Sequence, residues 1–169
     1  KDTNDVLSLM EYSQKNSVPL LARGGGSSQC GQTVGESVVL DYSKHQNKIL
    51  ELNVEEKYVW VQPGVVLDHL NDYLKPHGLW FPVDVSTSSR ATIGGMSANN
   101  SCGSRSLYYG NMVHNVLAIE AILDDGSIFQ FDQINKNYLA TKNNQDRLYK
   151  IIDKFIDVRQ KVGSEIDAN

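Results

Sequence analysis

Arg23-Gly24-Gly25-Gly26-Ser27-Ser28-Gln29-Cys30-Gly31-Gln32-Thr33-Val34-Gly35 is the stretch on which the reading of this chain turns. Glycine lacks Cβ, so its backbone enters left-handed conformations and lies flush against a neighbour; consecutive amides in such a loop point inward as an anion-binding nest. Gly26 to Thr33 has the glycine spacing of the nucleotide-triphosphatase loop, yet Gln32 stands where that motif places its lysine. Gly-x-Gly-x-x-Gly fails as well, because Gln29 takes the third glycine position counted from Gly24. Upstream, Val18 to Ala22 reads as a short buried strand, and downstream Ser37 to Tyr42 reads as a second strand. The expectation is therefore a nest between two strands, with no helix dipole behind it. For such a loop taken alone, a wide turn without a ligand is the alternative.

A second stretch, FPVDVSTSSRATIGGMSANNSCGSRSLYYG from Phe81 to Gly110, shifts the balance. Nine of the 13 glycines fall in these two stretches: Gly24, Gly25, Gly26, Gly31 and Gly35, then Gly94, Gly95, Gly103 and Gly110. Residues 82 to 112 show little periodicity and many small side chains, and read as one long functional loop with little core to bury. Ser86, Thr87, Ser88, Ser89, Thr92, Asn99 and Asn100 offer donors and acceptors, while Gly94, Gly95 and Gly103 let backbone approach a flat ring system. A large polar cofactor suits that composition.

Around these loops the pattern is mixed. Val6, Leu9, Met10 and Tyr12 recur at helical spacing from Asp2 to Asn16, with Thr3 or Asp2 as cap. Ile49 to Val54 and Tyr58 to Val61 read as a hairpin around Glu55-Glu56. After the Pro63-Gly64 break, Val66, Leu67, Leu70, Tyr73 and Leu74 line a helix face that packs on the sheet until Pro76 and Gly78 stop it. Asn115 to Leu123 and Ser127 to Phe131 flank an Asp124-Asp125-Gly126 turn. Leu148, Ile151, Ile152, Phe155, Ile156 and Val162 mark a helix from Asp146 to Val162. Strands and helices alternate without a strict βαβ rhythm, which favours an α+β domain over a doubly wound parallel sheet.

The chain of 169 residues is long enough for one domain, perhaps in two lobes, with a real core. Sixteen basic against 20 acidic residues give a formal charge of −4, with the cations scattered, which argues against nucleic acid as a partner. No apolar run is long enough to span a bilayer. Cys30 and Cys102 fit neither a metal-ligand spacing nor a disulfide framework and read as reduced thiols, and no basic-then-apolar leader is visible. A cytoplasmic location follows, peripheral attachment at an inner membrane included. Asn99-Asn100-Ser101 then reads as a coincidental match to a glycosylation acceptor.

Several motifs in series make a resemblance specific: Arg23-Gly-Gly-Gly-Ser-Ser, Val61-Gln-Pro-Gly64, Pro82-Val-Asp84, Thr92-Ile-Gly-Gly95 with Ala98, Asn100 and Gly103, Tyr109-Gly110 and Asn115-Val116. In these the chain, over about residues 1 to 131, resembles the FAD-linked oxidases of the vanillyl-alcohol oxidase superfamily, whose FAD-binding domain is of the PCMH type. Within it the chain is similar to the D-lactate, glycolate and D-2-hydroxyglutarate dehydrogenase branch, and VDVSTSSRATIGG resembles the long iron-sulfur-containing members. The resemblance implies a two-lobed α+β FAD-binding domain over residues 1–169, with mixed sheets flanked by helices. It implies FAD, with the pyrophosphate on Gly24 to Gly31 beside Arg23, Ser27, Ser28 and Gln32, and the flavin along Thr92, Gly94, Gly95, Ala98, Asn100, Gly103 and Ser104. Pro82, Asp84 and Ser88 join that cofactor set, and Val116 and Ile119 are placed near the cofactor on the following strand. Covalently linked relatives carry a histidine after the paired glycines of the first loop; here Ser27 takes that place, and no cysteine stands just before Thr92, so a non-covalent flavin is implied.

The resemblance further implies oxidation of a small D-2-hydroxy acid, with an iron-sulfur domain or subunit as electron acceptor. The arginine that binds the substrate carboxylate and the base that takes its hydroxyl proton come, in such enzymes, mainly from a separate substrate (cap) domain. No such domain is found in this sequence, both ends of which look trimmed, so the chain is expected to be a fragment that is inactive by itself. Two other readings stay open: the FAD-binding domain of a cell-wall precursor reductase, and a cofactor-binding module without turnover. No single side chain earns a catalytic role. His45, His69, His77 and His114 have no acidic partner at a telling spacing, Cys102 reads as a half-buried space-filler, and Trp60 and Trp80 as core or interface residues.

Overall fold

The computed structural model describes residues 1–132 and 147–167. They divide into two compact units, one of residues 1–117 with 124–126, the other of residues 118–123 with the described residues from 127 onward.

In the first unit, α1 (Thr3–Asn16) opens on Asp2, whose carboxylate accepts the amides of Asn4 and Asp5 at 2.9 and 3.2 Å while Asp5 answers on the Asp2 amide. That reciprocal cap satisfies orphan donors of the first turn. Strand β1 (Leu20–Arg23) runs parallel to β2 (Val38–Asp41), pairing Leu20 with Val38 and Arg23 with Asp41. Parallel strands need a crossover of roughly a dozen residues or more, generally a helix. Here residues 24–37, the first glycine-rich stretch, are that crossover, and they contain no helix. The expected buried strand starts two residues later than Val18 and is half-buried with Ala22 exposed, because alternate side chains of a strand face opposite ways and only one face is covered.

The hairpin β3 (Ile49–Asn53) and β4 (Tyr58–Val61) is antiparallel, its turn closed by Lys57 at φ 57° and by the Glu56 amide on Asn53 Oδ1 at 2.9 Å. Helix α2 (Leu67–Leu74) lies on it as expected: Val65, Leu70 and Leu74 form one buried cluster with Ile49, Leu52, Val59 and Val61 against them. A single 3-10 turn holding Pro76 ends at Gly78, which takes φ 69°.

Residues 82–112 correct the reading of one long loop. They hold α3 (Ile93–Ala98), α4 (Ser106–Tyr109) and the start of α5 (Met112–Asn115), and Val83, Ala91, Met96 and Met112 pack with Leu67 into a second buried cluster. Each helix spans fewer than two turns, too short for a 3.6-residue period to register, so the sequence showed composition without pattern. The expectation of little core fails for the same reason: its apolar members are single residues separated by polar ones.

In the second unit, β5 (Ile119–Ile122) pairs antiparallel with β6 (Ile128–Phe131), Ile119 opposite Phe131 and Ile122 opposite Ile128. Gly126 between them takes φ 82°, the conformation for which the Asp-Gly turn was read. The strand starts at Ile119 rather than Asn115, because Asn111 caps a helix that runs through Asn115. Helix α6 (Arg147–Asp167) buries Leu148 and Ile152 and continues past Val162; its expected start at Asp146 lies outside the described residues. No helix among the described residues is long and apolar enough to cross a membrane.

Leu70, 1% exposed, carries the contact between α2 and the β3–β4 hairpin. Leu70→Ala is expected to cost about 2–5 kcal/mol in chemical denaturation. A cost under about 1 kcal/mol would show that the cluster collapses freely into the space, contrary to this packing.

Candidate functional site

The two glycine-rich stretches meet in the first unit, and glycine is what lets them. A Cβ at Gly24 would fall on the Thr92 hydroxyl, and one at Gly25 on the Arg90 carbonyl. Gly94 lies in the same way on Pro63, Gly64 on the Tyr42 and Gln46 carbonyls, and Gly103 on Asp84. These approaches are main chain to main chain or to a fixed side chain, so much of the glycine content serves the protein's own packing. Gly26 at φ 64° and Gly31 at φ 82° differ in kind: the first lies under the Arg23 guanidinium, and the second has open space where a side chain would project. Gly95 has only the Thr92 hydroxyl near its Cβ position, at 3.2 Å.

The stretches differ in how they use their amides. Among the described residues, the consecutive amides from Gly24 through Gln29 donate to no acceptor, while Cys30 donates to Ser28 Oγ at 3.4 Å. In the second stretch most amides from Ile93 onward are engaged, Ile93 on Val65, Gly94 on Pro63, Met96 on Thr92, Ser101 on Met96 and Gly103 on Ser106 Oγ, while those of Val83 to Thr87, among the described residues, are not. Half-exposed amides without a protein acceptor are free to donate to a ligand in place of water; the first stretch thus has the donors of an anion cradle. The second is a built wall.

That wall has a named anchor. The Asp84 carboxylate accepts the Ser104 hydroxyl at 2.6 Å and the Arg105 amide at 3.0 Å, with the Arg105 Nε 3.9 Å away. The Ser104 hydroxyl first, then the Arg105 amide, hold the Asp84 carboxyl below its ordinary value of 3.8. Arg105 also lies over the Trp80 ring at 5.0 Å, and Trp80 meets Tyr109 edge-on. Thr92, 1% exposed, caps α3 through a long contact from the Gly95 amide to its Oγ1 at 3.4 Å. Asn100 takes a left-handed φ of 47° and its Oδ1 accepts the Val113 amide at 3.0 Å.

Of the residues singled out in the sequence, the structure brings Gly24, Thr92 and Gly95 together, and joins Asp84 to Gly103 and Ser104. Ser28 accepts the Gln32 amide group at 2.6 Å, Ser27 receives the Thr87 hydroxyl at 3.4 Å, and Arg23 covers Gly26. Val116 packs on the Met96–Met112 cluster. Pro82 and Ser88 flank the Val83–Thr87 segment, the Ser88 carbonyl accepting the Asp68 amide, and Ala98 is exposed at the end of α3. Ile119 belongs to the second unit and is 45% exposed. Cys30 and Cys102 are both free and exposed, so Cys102 is not the half-buried filler expected; the turn after α3 leaves it outside the cluster that Met96 enters. His114 Nδ1 accepts the Asn111 amide at 3.1 Å, a capping role. Thr87, one of the donors read from the sequence, contacts the first loop at Ser27, while sequence reasoning passed over Arg90, whose carbonyl meets Gly25; the signal available was a lone cation in a run of serines.

Residues 1–132 match the family described as FAD binding domain, which covers most of the chain. The chain belongs to that family, and its cofactor is FAD. Among curated proteins, it is 43% identical over 130 residues to a D-2-hydroxyglutarate dehydrogenase of Haemophilus influenzae, a match covering 77% of this chain and 13% of that protein. It is 40% identical over 132 residues to a mitochondrial D-lactate dehydrogenase (cytochrome) of Kluyveromyces lactis, covering 76% of this chain and 23% of that protein. Among solved structures, 6-hydroxy-D-nicotine oxidase of Arthrobacter nicotinovorans superposes with TM-score 0.69 at 18% identity, over 78% of this chain and 28% of that one. An alkyldihydroxyacetonephosphate synthase gives 0.66 at 23% identity, over 80% and 25%. These likenesses show the expected α+β fold. The chain spans 12% to 14% of the length of the D-2-hydroxyglutarate dehydrogenases it matches.

Two measurements separate packing from binding here. Gly25→Ala is expected to destabilise the flavin-free protein by about 1–3 kcal/mol, because the new methyl drives into the Arg90 carbonyl. Gly95→Ala, inside a helix with one contact to accommodate, is expected to stay within about 1 kcal/mol of the parent; equal losses in urea unfolding would refute the distinction. For Asp84 the folded carboxyl is the stronger acid, so its anchor contributes in full above the ordinary carboxylate value and is lost as pH falls through the folded one. The stability gap between the parent and Asp84→Asn is expected to hold from about pH 7 to pH 5 and to narrow below about pH 4. A gap independent of pH would mean that the charge of Asp84 is irrelevant to the wall.

Proposed function

We propose that this chain is the FAD-binding part of a dehydrogenase that oxidises a small D-2-hydroxy acid, with D-2-hydroxyglutarate first among the candidates. The observation that carries the reading is the run of unbonded amides from Gly24 through Gln29, in a chain 43% identical to a protein with that activity. A dianionic diphosphate is an acceptor suited to such a row, since hydrogen bonds to charged acceptors are about twice as strong as neutral ones. The residues present fit the group: Gly31 leaves open space, the Arg23 guanidinium sits over Gly26, and Gly95 faces little of its own protein.

In this reading Gly24, Gly25, Gly26, Ser27, Ser28, Gly31 and Gln32 hold the diphosphate with Arg23 beside them. Thr92, Gly94, Gly95, Ala98, Asn100, Gly103 and Ser104 flank the rings, with Pro82, Asp84, Ser88 and Val116 completing the cofactor set. Ser27, where linked relatives carry histidine, keeps the cofactor non-covalent. When bound, FAD supplies the hydride-accepting chemistry, and the chain's contribution is to orient it and to exclude water. The carboxylate-binding arginine and the base belong to a substrate domain outside these residues, and electrons leave through an iron-sulfur domain or subunit. A cytoplasmic setting is supported by two exposed free thiols, which persist where glutathione keeps them reduced.

The test uses the intact protein. Denaturation is expected to release FAD, identified by mass, and anaerobic D-2-hydroxyglutarate is expected to bleach the bound flavin. A protein that releases no flavin, or whose flavin stays oxidised with D-2-hydroxyglutarate, D-lactate and glycolate alike, overturns the reading.

A further inference from the structure

Three arginines border the two glycine-rich stretches, and they are not equivalent. Arg105 is engaged by Asp84 and by the Trp80 ring. Arg23 stands opposite Asp41 in the β1–β2 register without an ion pair to it, and its guanidinium lies over Gly26. Arg90 is exposed, and among the described residues its guanidinium has neither an ion pair nor a hydrogen bond. Its backbone is nevertheless fixed. The Arg90 amide donates to the Thr87 carbonyl at 2.8 Å, its own carbonyl lies against Gly25, and Thr87 reaches Ser27 through the two hydroxyls at 3.4 Å. A cation without a partner is thus tethered by its main chain to the middle of the row of unbonded amides.

We propose that Arg90 is a further cofactor-binding residue, supplying with Arg23 the positive charge that faces the FAD diphosphate. The inference rests on the cofactor reading above. Two fixed negative charges on one ligand leave a surplus that neutral amides alone do not cancel, and a single guanidinium balances only one of them. Whereas Arg105 is held by Asp84, Arg90, like Arg23, has no ion pair among the described residues to give up. Its fork can engage two phosphate oxygens at once, which a lysine cannot do.

The experiment compares FAD with riboflavin, which carries the same rings and no phosphate, on the flavin-free intact protein by fluorescence titration. Arg90→Gln is expected to weaken FAD binding about tenfold or more and to flatten its dependence on salt, while riboflavin binds the parent and the variant equally. Arg90→Lys is expected to fall between them. The unfolding midpoint of flavin-free Arg90→Gln is expected to match the parent, since the side chain it removes touches solvent. Unchanged FAD affinity in Arg90→Gln, or equal loss for FAD and riboflavin, overturns the proposal while leaving the cofactor reading intact. A parent protein that takes up neither flavin overturns both.

Discussion

The contact of the Gly25 backbone with the Arg90 carbonyl is the constraint around which the first unit is arranged. It brings the crossover between β1 and β2 against the turn that leads into α3, and only a residue without Cβ permits it. Gly24 on Thr92 repeats the approach one residue earlier, and Thr92 is buried at the point where that approach and the cap of α3 coincide. Behind this seam stands the cluster of Leu67, Val83, Ala91, Met96 and Met112, which holds the second stretch rigid. In front of it the first stretch keeps its amides unbonded. One loop is stiffened so that the other can remain a set of donors with fixed positions. Preorganisation of that kind lowers the entropic cost of holding a ligand.

What could be read from residues alone depended on how far each signal extends along the chain. Helix α1, with Asp2 as cap and apolar residues over several turns, and the β3–β4 and β5–β6 hairpins, with their turn residues, announced themselves. The run from 82 to 112 did not, because helices of four to six residues carry at most one buried side chain each. Met96 and Met112 meet only in space, and no window along the sequence contains the reason for their burial.

The glycines were legible as a concentration and misleading as a mechanism. Their density pointed to a ligand, yet the partners of Gly24, Gly25, Gly64, Gly94 and Gly103 are the protein's own atoms. The cradle resides in what remains, above all the amides from Gly24 to Gln29 and the unobstructed positions at Gly31 and Gly95. Sequence could not separate the two classes, since close approach to a neighbour and close approach to a cofactor demand the same residue. Arg90 escaped notice for a related reason: its significance comes from the carbonyl it presents to Gly25, and nothing in its own neighbours along the chain advertises that contact.

The parallel pairing of β1 with β2 sets a minimum length for whatever joins them. In most folds that length is spent on a helix, which can grow or shrink by turns without touching a binding site. Here the join and the cradle are the same residues, so loop length is not a free variable: a deletion between 24 and 37 shortens a topological span and repositions the donors in one stroke. Variation in this segment is therefore confined to the identity of its side chains, and the spacing of its glycines acts as a ruler shared by the sheet and the site.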